Sequence, residues 1–243
     1  MRWTNPPDGR RRLGARVASA VALAAIAGAA GWLLAPSANV GVVAPGCAYR
    51  SAQPGGNLPR LLATYRPASI LNLRGGTAAD PWYVAEVAAA RAGGVDFYDL
   101  PLSATRRPTR RELTILIDLL GRCRLPLLIH CKSGADRTGL ASGLFLMARR
   151  GTPPEEALGA FSIRYGHIPL LGPEHLHEPL LEYAAWLRAR GLAHSAGRLR
   201  DWAAHDYLAA DAPAPARAPA DADAPALRPG PRARVARGAS TRR

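Results

Sequence analysis

Cysteine is scarce in this chain, with only Cys47, Cys123 and Cys131 among 243 residues. Three thiols with neither close paired spacing nor a matched histidine set exclude a disulfide framework and a thiolate metal site. Cys47 and Cys123 are read as small buried hydrophobes, a mutual disulfide or a shielding role toward Cys131 being the alternatives. Lysine is scarcer still. Lys132 is the only one, in a chain that carries 32 Lys and Arg together, which suggests that a compact point charge is wanted where it stands. Aromatic residues make up 6% of the chain, and no basic helix with interleaved aromatics appears. Nucleic-acid recognition is therefore a poor reading of the formal net charge of +14.

That charge is unevenly spread. Residues 1–39 hold five Arg against Asp8, a net +4; residues 40–210 hold twenty Lys or Arg against fourteen acids, a net +6; the tail from Asp211 holds seven Arg against three Asp, again +4. A moderately basic central segment suits a phosphate substrate, and cationic ends suit anionic lipid. One long uncharged run exists, Val17 to Ala35. As a helix it would span about 28 Å, near the roughly 30 Å hydrocarbon core, with Trp32 as an interfacial anchor. An uncleaved transmembrane signal anchor is favoured over a cleaved signal peptide and secretion, because Pro36-Ser37-Ala38 is a mediocre cleavage site. A buried core helix is disfavoured, since no polar stripe breaks the run. Five arginines precede the run and only Arg50 lies in the twenty residues after it. This asymmetry keeps the N-terminus in the cytoplasm and puts the following domain outside, in the periplasm of a bacterium. The expected organisation is a basic N-terminus over 1–16, an anchor over 17–35, a catalytic domain over 40–210 and a disordered Ala/Pro/Arg tail over 211–243.

Within 40–210 strands and helices alternate. Two extended pieces flank Pro45-Gly46 between Val40 and Ser51; Asn57 caps a helix running to Tyr65, with Pro59 in its first turn; Ser69 to Leu73 is a strand. Asp80-Pro81 opens a helix ending near Gly93, Val95 to Asp99 is extended, and Thr109 with Glu112 forms a capping box for a helix stopped by Gly121. Pro126 to Ile129 reads as a buried strand. A helix follows from Thr138 to the stop at Arg149-Arg150-Gly151. Thr152 and Glu155 read as another capping box, followed by helices over Pro173 to Arg190 and near Asp201 to Tyr207. The pattern predicts an α/β fold with a mostly parallel sheet flanked by helices. Ligands of such sheets sit beyond the carboxyl ends of the strands, so Arg74, Asp99 and Cys131 should share one edge.

The stretch Ile129 to Gly139 reads Ile-His-Cys-Lys-Ser-Gly-Ala-Asp-Arg-Thr-Gly. It links a strand to a helix through a short loop, so loop and helix N–H groups converge on one concavity, where the helix dipole adds roughly half a positive charge. A phosphate fits it, and the same field favours thiolate over thiol at Cys131. Gly134 permits close backbone approach and positive φ. Arg137 supplies a planar fork for two phosphate oxygens, the Thr138 hydroxyl comes within reach of the sulfur, and His130 orients the loop by hydrogen bonding.

His-Cys, five residues, Arg-Thr resembles the signature of the cysteine-dependent protein tyrosine and dual-specificity phosphatases. The resemblance implies a protein tyrosine phosphatase-like fold and, without metal or organic cofactor, a reaction through a phosphocysteine. Cys131 would be the nucleophile, Arg137 the phosphate clamp, Thr138 the hydroxyl that helps the thiolate leave, and Lys132, Ser133, Gly134, Ala135 and Asp136 the phosphate cradle. Asp directly before Arg also resembles myotubularin-type and bacterial tyrosine/lipid phosphatases, some acting on phosphoinositides. Tyr49-Arg50-Ser51-Ala52-Gln53-Pro54, Asn72-Leu73-Arg74-Gly75 and Tyr165-Gly166-His167 resemble a bacterial dual-specificity-type branch, over about Val40 to Tyr207. Where such relatives keep their general acid, this chain has Ser103 and Ala104. Asp99 and Asp136 are the two candidates for that role, Asp136 slightly ahead, and Arg74 is a candidate second phosphate contact. His167 either lines the pocket, contacts a leaving group or is structural. The resemblance implies hydrolysis of phosphomonoesters on phosphotyrosine or phosphoserine/threonine proteins. The alternatives are a phosphoinositide or other small phosphate ester, and a phosphate-binding module with little turnover.

Overall fold

Short apolar runs bounded by turn residues form a five-stranded sheet in the computed structural model, which describes Ser19, Val21 and residues 39–168 and 176–208. The chain divides into two units, Met1–Ser37 and Ala38–Arg243. In the first, Ser19 and Val21 are helical and exposed; the remainder of the expected anchor lies outside the described residues, as do the tail 211–243 and the first part of the expected helix from Pro173. No helix among the described residues is long and apolar enough to cross a membrane.

In the second unit the strands are β1 (Gly41–Ala44), β2 (Ala48–Ser51), β3 (Ser69–Asn72), β4 (Asp96–Asp99) and β5 (Leu127–His130), in the order β1-β2-β5-β3-β4. β1 and β2 form an antiparallel hairpin, with Gly46 at φ +69° in its turn. All other pairings are parallel, which makes the sheet mixed. Alternation along each strand divides the core. Ile70, Phe97 and Leu128 face α1 (Leu58–Tyr65) and α2 (Pro81–Ala92), meeting Leu58, Leu61 and Ala90. Leu71, Leu127 and Ile129 face the other way, into a larger cluster with α3 (Arg110–Arg122), α4 (Asp136–Arg150), α6 (Glu178–Ala189) and α7 (Ala196–His205). Trp202 and Tyr183 close that layer, 1% and 0% exposed. Each fully buried leucine contributes on the order of 2 kcal/mol.

The helix ends show where local signals win and where packing overrides them. Thr109 and Glu112 form the expected capping box on α3. Gly121 does not stop that helix, because Arg149 donates to the carbonyls of Leu120 (2.8 Å) and Cys123 (2.6 Å) and so satisfies the helix end one residue later. Asn57 stands before α1 but its side chain caps nothing; a 3-10 turn, Gly55–Asn57, already feeds the helix. The Thr152/Glu155 box is not formed. Pro153 and Pro154 start the four-residue α5 (Pro154–Ala157), and Glu155 pairs instead with Arg188 at 3.2 Å. α7 begins earlier than expected, at Ala196, because the Ser195 side chain accepts from the Arg198 amide.

One consequence of the register positions the site. Ser51 pairs with His130, His130 with Asn72, and Asn72 with Asp99, so four parallel strands end level with one another. Whatever follows each strand therefore emerges at the same edge.

Candidate active site

Cys131 leaves β5 at that edge and the chain re-enters helix at Asp136. The first helical residues have no side-chain cap: Ala135 precedes α4 with φ −90° and ψ −94°, and its carbonyl accepts from the Gly139 amide at 2.7 Å. An uncapped helix start presents free N–H groups and the positive end of the dipole. The loop is held from behind. The Lys132 carbonyl accepts from the Gln53 amide (3.2 Å), the Ser133 carbonyl from Asn39 Nδ2 (2.9 Å), and the Gly134 and Ala135 carbonyls from Arg50 Nη2 (2.8 and 3.2 Å). With four successive carbonyls engaged on the outside, the peptide N–H groups are turned toward the concavity. The Gly134 amide donates to Cys131 Sγ at 3.2 Å. Gly134 has φ +74°, and a Cβ there would come within 2.7 Å of the Ala52 amide nitrogen. The loop can sit this close to the end of β2 only because that residue is glycine.

Arg50 is the buried brace. Only 2% of it is exposed; Nη1 donates to the Ala160 carbonyl at 2.6 Å and the guanidinium lies 3.8 Å from the Tyr165 ring centroid. Burial pushes its pKa down to about 10, opposed by Tyr165, Cys131 and Asp136. It therefore stays cationic at neutral pH and places a fixed positive charge behind the loop that carries Cys131.

Arg137, in the first turn of α4, donates through Nη1 to the carbonyls of Leu73 and Leu102, each at 3.2 Å. Its Nε and Nη2 have no partner among the described residues and suit two oxygens of a phosphate. Thr138 Oγ1 is buried without a hydrogen-bond partner, so the hydroxyl is uncommitted in the turn that follows Cys131. Lys132 and Ser133 are exposed on the loop, while Gly134 and Ala135 are buried.

The other expected residues divide clearly. Asp136 Oδ1 lies 2.7 Å from His167 Nδ1, which ties the cradle to the segment after α5. Asp99 is committed elsewhere: Oδ1 accepts from Asn72 Nδ2 (3.0 Å) and Oδ2 from the Tyr83 hydroxyl (2.8 Å). Arg74 lies 3.9 Å from the Trp82 ring centroid and donates to Gln53 Oε1 at 3.3 Å. Gln53 in turn donates through Nε2 to Glu86 Oε2 at 2.7 Å. The other Glu86 oxygen lies 2.9 Å from His130 Nε2, both groups buried, a close approach without hydrogen-bond alignment. Neither ring nitrogen of His130 has a hydrogen-bond partner among the described residues, so the expected orienting bond from the side chain is not formed; the base of the loop is tied instead through the backbone, where the His130 carbonyl accepts from the Leu73 amide at 2.9 Å. Cys47 and Cys123 are free thiols, so the alternative of a mutual disulfide is not realised.

In the sequence Arg50 and Gln53 stand only within the longer Tyr49 to Pro54 pattern, without a role of their own, whereas His167 stands out as a candidate pocket residue. An arginine inside a short strand next to small residues was the available signal. Replacing Arg50 by Met should remove the bonds to Gly134 and Ala135 and lower kcat/KM for para-nitrophenyl phosphate by about tenfold to a hundredfold, taking a bond from a charged group as about 1.5–3 kcal/mol. Arg50→Lys should fall between. Unchanged kcat/KM in a folded Arg50→Met protein would contradict the brace.

The sequence pattern of the tyrosine phosphatase family matches residues 34–156, from before β1 into α5 and across the whole Cys131 to Arg137 loop. No curated protein sequence matches the chain. Solved structures that resemble it include the core catalytic domain of the PP-IP phosphatase SIW14 from S. cerevisiae in complex with citrate, at 19% identity over 64% of this chain and 94% of that one with a TM-score of 0.48. P. aeruginosa TpbA resembles it at 23% identity over 70% of this chain and 94% of that one, TM-score 0.42. PTPMT1 in complex with PI(5)P does so at 20% identity over 63% of this chain and 98% of that one, TM-score 0.43. With the family pattern covering half the chain and the thiol, cradle and arginine all inside it, the chain belongs to the tyrosine phosphatase family.

Proposed function

We propose that this chain hydrolyses phosphomonoesters on phosphotyrosine or phosphoserine/threonine proteins through a phosphocysteine, with Asp136 as the proton donor. The observation that carries the reading is the loop whose four carbonyls are held from outside, with Cys131 Sγ accepting from the Gly134 amide. The Cys131 thiolate attacks phosphorus, the ester P–O bond breaks, and the leaving oxygen takes a proton from Asp136. Water then attacks the phosphocysteine, Asp136 takes back a proton, and the P–S bond breaks with Thr138 donating toward the departing sulfur. Charge and protons balance over the two steps, and the enzyme returns to its starting form. Arg137 holds two phosphate oxygens throughout and gains most as charge accumulates at the transition state.

Asp136 is assigned the proton because both side-chain oxygens of Asp99 are taken up by donors, Oδ1 by Asn72 and Oδ2 by Tyr83, whereas Asp136 has one oxygen on His167 and stands beside Arg137. A second reading is a phosphoinositide or other small phosphate ester. Arg74, pinned to Gln53, and the exposed Lys132 carry positive charge beside the loop. A binding module with little turnover is the third, motivated by Ser103 and Ala104 where relatives carry their acid.

Asp136→Asn should lower turnover of an alkyl phosphate by about a hundredfold or more while Asp99→Asn retains most of it; the reverse pattern would move the acid to Asp99. A panel of phosphotyrosine peptide, phosphoserine peptide and phosphoinositide separates the substrate readings, and the first two should be turned over fastest. Absence of turnover on all three, with Cys131→Ser still binding phosphate, would favour the binding module. The location proposed is a single-pass anchor over 17–35 with the catalytic domain outside, supported by the arginine asymmetry around that run. Alkaline phosphatase fused after Tyr207 should be active in a bacterial host, and an inactive fusion would overturn that topology.

A further inference from the structure

The cradle carboxylate is not free to choose its direction. Asp136 Oδ1 lies 2.7 Å from His167 Nδ1, with the His167 side chain 8% exposed and the Asp136 side chain 45%. A buried ring thus fixes one oxygen of a carboxylate whose remainder reaches solvent.

The ring is itself held. Its centroid lies 5.0 Å from that of Phe161 and 5.1 Å from that of His177, both tilted or edge-on. Phe161 packs so tightly on α4 that a Cβ at Gly139 would come within 2.8 Å of its ring. The His167 amide donates to the Ser162 carbonyl at 3.1 Å. Two further ties fasten the same segment to the cradle: Arg50 bonds the Ala160 carbonyl and the Gly134 and Ala135 carbonyls, and Asn39 Nδ2 bridges the carbonyls of Ser133 and Tyr165, each at 2.9 Å. The segment from Ala160 to His167 is therefore referenced to the loop that holds the phosphate, and His167 delivers that reference to one atom, Asp136 Oδ1.

We infer that His167 is the positioning residue of the leaving-group acid: its Nδ1–H donates to Asp136 Oδ1, and so turns Oδ2, with the transferable proton, toward the leaving oxygen. This rests on the assignment of the acid to Asp136. The proton that reaches the leaving group comes from Oδ2 and returns there from water in the second step. The Nδ1–H stays on the imidazole through both steps, so His167 touches neither substrate nor phosphorus. A packing role alone would leave the chemistry indifferent to the donor; a positioning role makes it matter, in the step that forms the phosphocysteine, only when the leaving group needs a proton.

The test uses the full chain and two substrates, an alkyl phosphate, whose alkoxide needs protonation, and dinitrophenyl phosphate, whose phenolate departs without it. His167→Phe keeps an aromatic ring against Phe161 and His177 but has no donor. It should lower kcat/KM on the alkyl phosphate by about tenfold to a hundredfold and leave kcat/KM on dinitrophenyl phosphate within about twofold, because kcat/KM reports only the steps through cleavage of the ester bond and not the phosphocysteine hydrolysis that both substrates share. His167→Asn, whose amide can donate from the position of Nδ1, should recover most of the loss. In an Asp136→Asn background, His167→Phe should cost nothing further. Equal losses on the two substrates, or a full additional loss in that background, would overturn the inference. Should the Phe variant fail to fold, the near-isosteric pair His167→Asn and His167→Leu makes the same comparison, and equal activities on the alkyl phosphate would overturn it. If Asp136→Asn loses turnover while His167→Phe does not, the positioning role alone falls; if Asp136→Asn loses nothing, the acid assignment falls and this inference with it.

Discussion

Four consecutive carbonyls facing away from a cavity are the constraint on which the rest of this structure depends. A peptide cannot point its C=O and its N–H the same way. Once Gln53, Asn39 and Arg50 have taken the carbonyls of Lys132 through Ala135, the amides have only the concavity to face. The cation that takes two of them is buried yet still charged, so its field reaches Cys131 with little solvent screening. The uncapped start of α4 adds the helix dipole from the same side. In the proposed mechanism, phosphate binding and attack by the sulfur thus draw on one arrangement.

The fold exists to supply those outside donors at the right place. Level strand ends bring Gln53, Leu73 and Cys131 to one edge, and the hairpin of β1 and β2 sets Arg50 beneath the loop. Glycine at position 134 is required because the end of β2 passes so near. Arg137 draws its own support from Leu73 and Leu102, the residues just past β3 and β4. Every strand of the parallel set therefore contributes to the geometry of a loop only a few residues long.

What could be read from the sequence follows the range of the forces involved. The loop from Ile129 to Gly139 is contiguous, and its chemistry, thiol, glycine, arginine and hydroxyl, is written in residue types at fixed spacing. The Thr109 cap is legible for the same reason, since its partner is three residues away. Arg50 was not legible as a brace: its acceptors lie 84 and 110 residues on, and a strand arginine ordinarily points to water. Gly121 misled because the carbonyls it would have left bare are satisfied by Arg149 on another helix. Asp99 and Asp136 both looked available; only tertiary structure shows the first tied to Asn72 and Tyr83 and the second to His167.

The most direct test of the central claim sets exposure against ionisation at the three thiols. Cys131 is 1% exposed and Cys47 is partly exposed, so access alone would make Cys47 react first. The full chain, treated at neutral pH with iodoacetate and mapped by peptide mass, should be carboxymethylated first at Cys131, with vanadate protecting that residue and not the other two. Modification of Cys47 ahead of Cys131, with no protection by vanadate, would contradict the account.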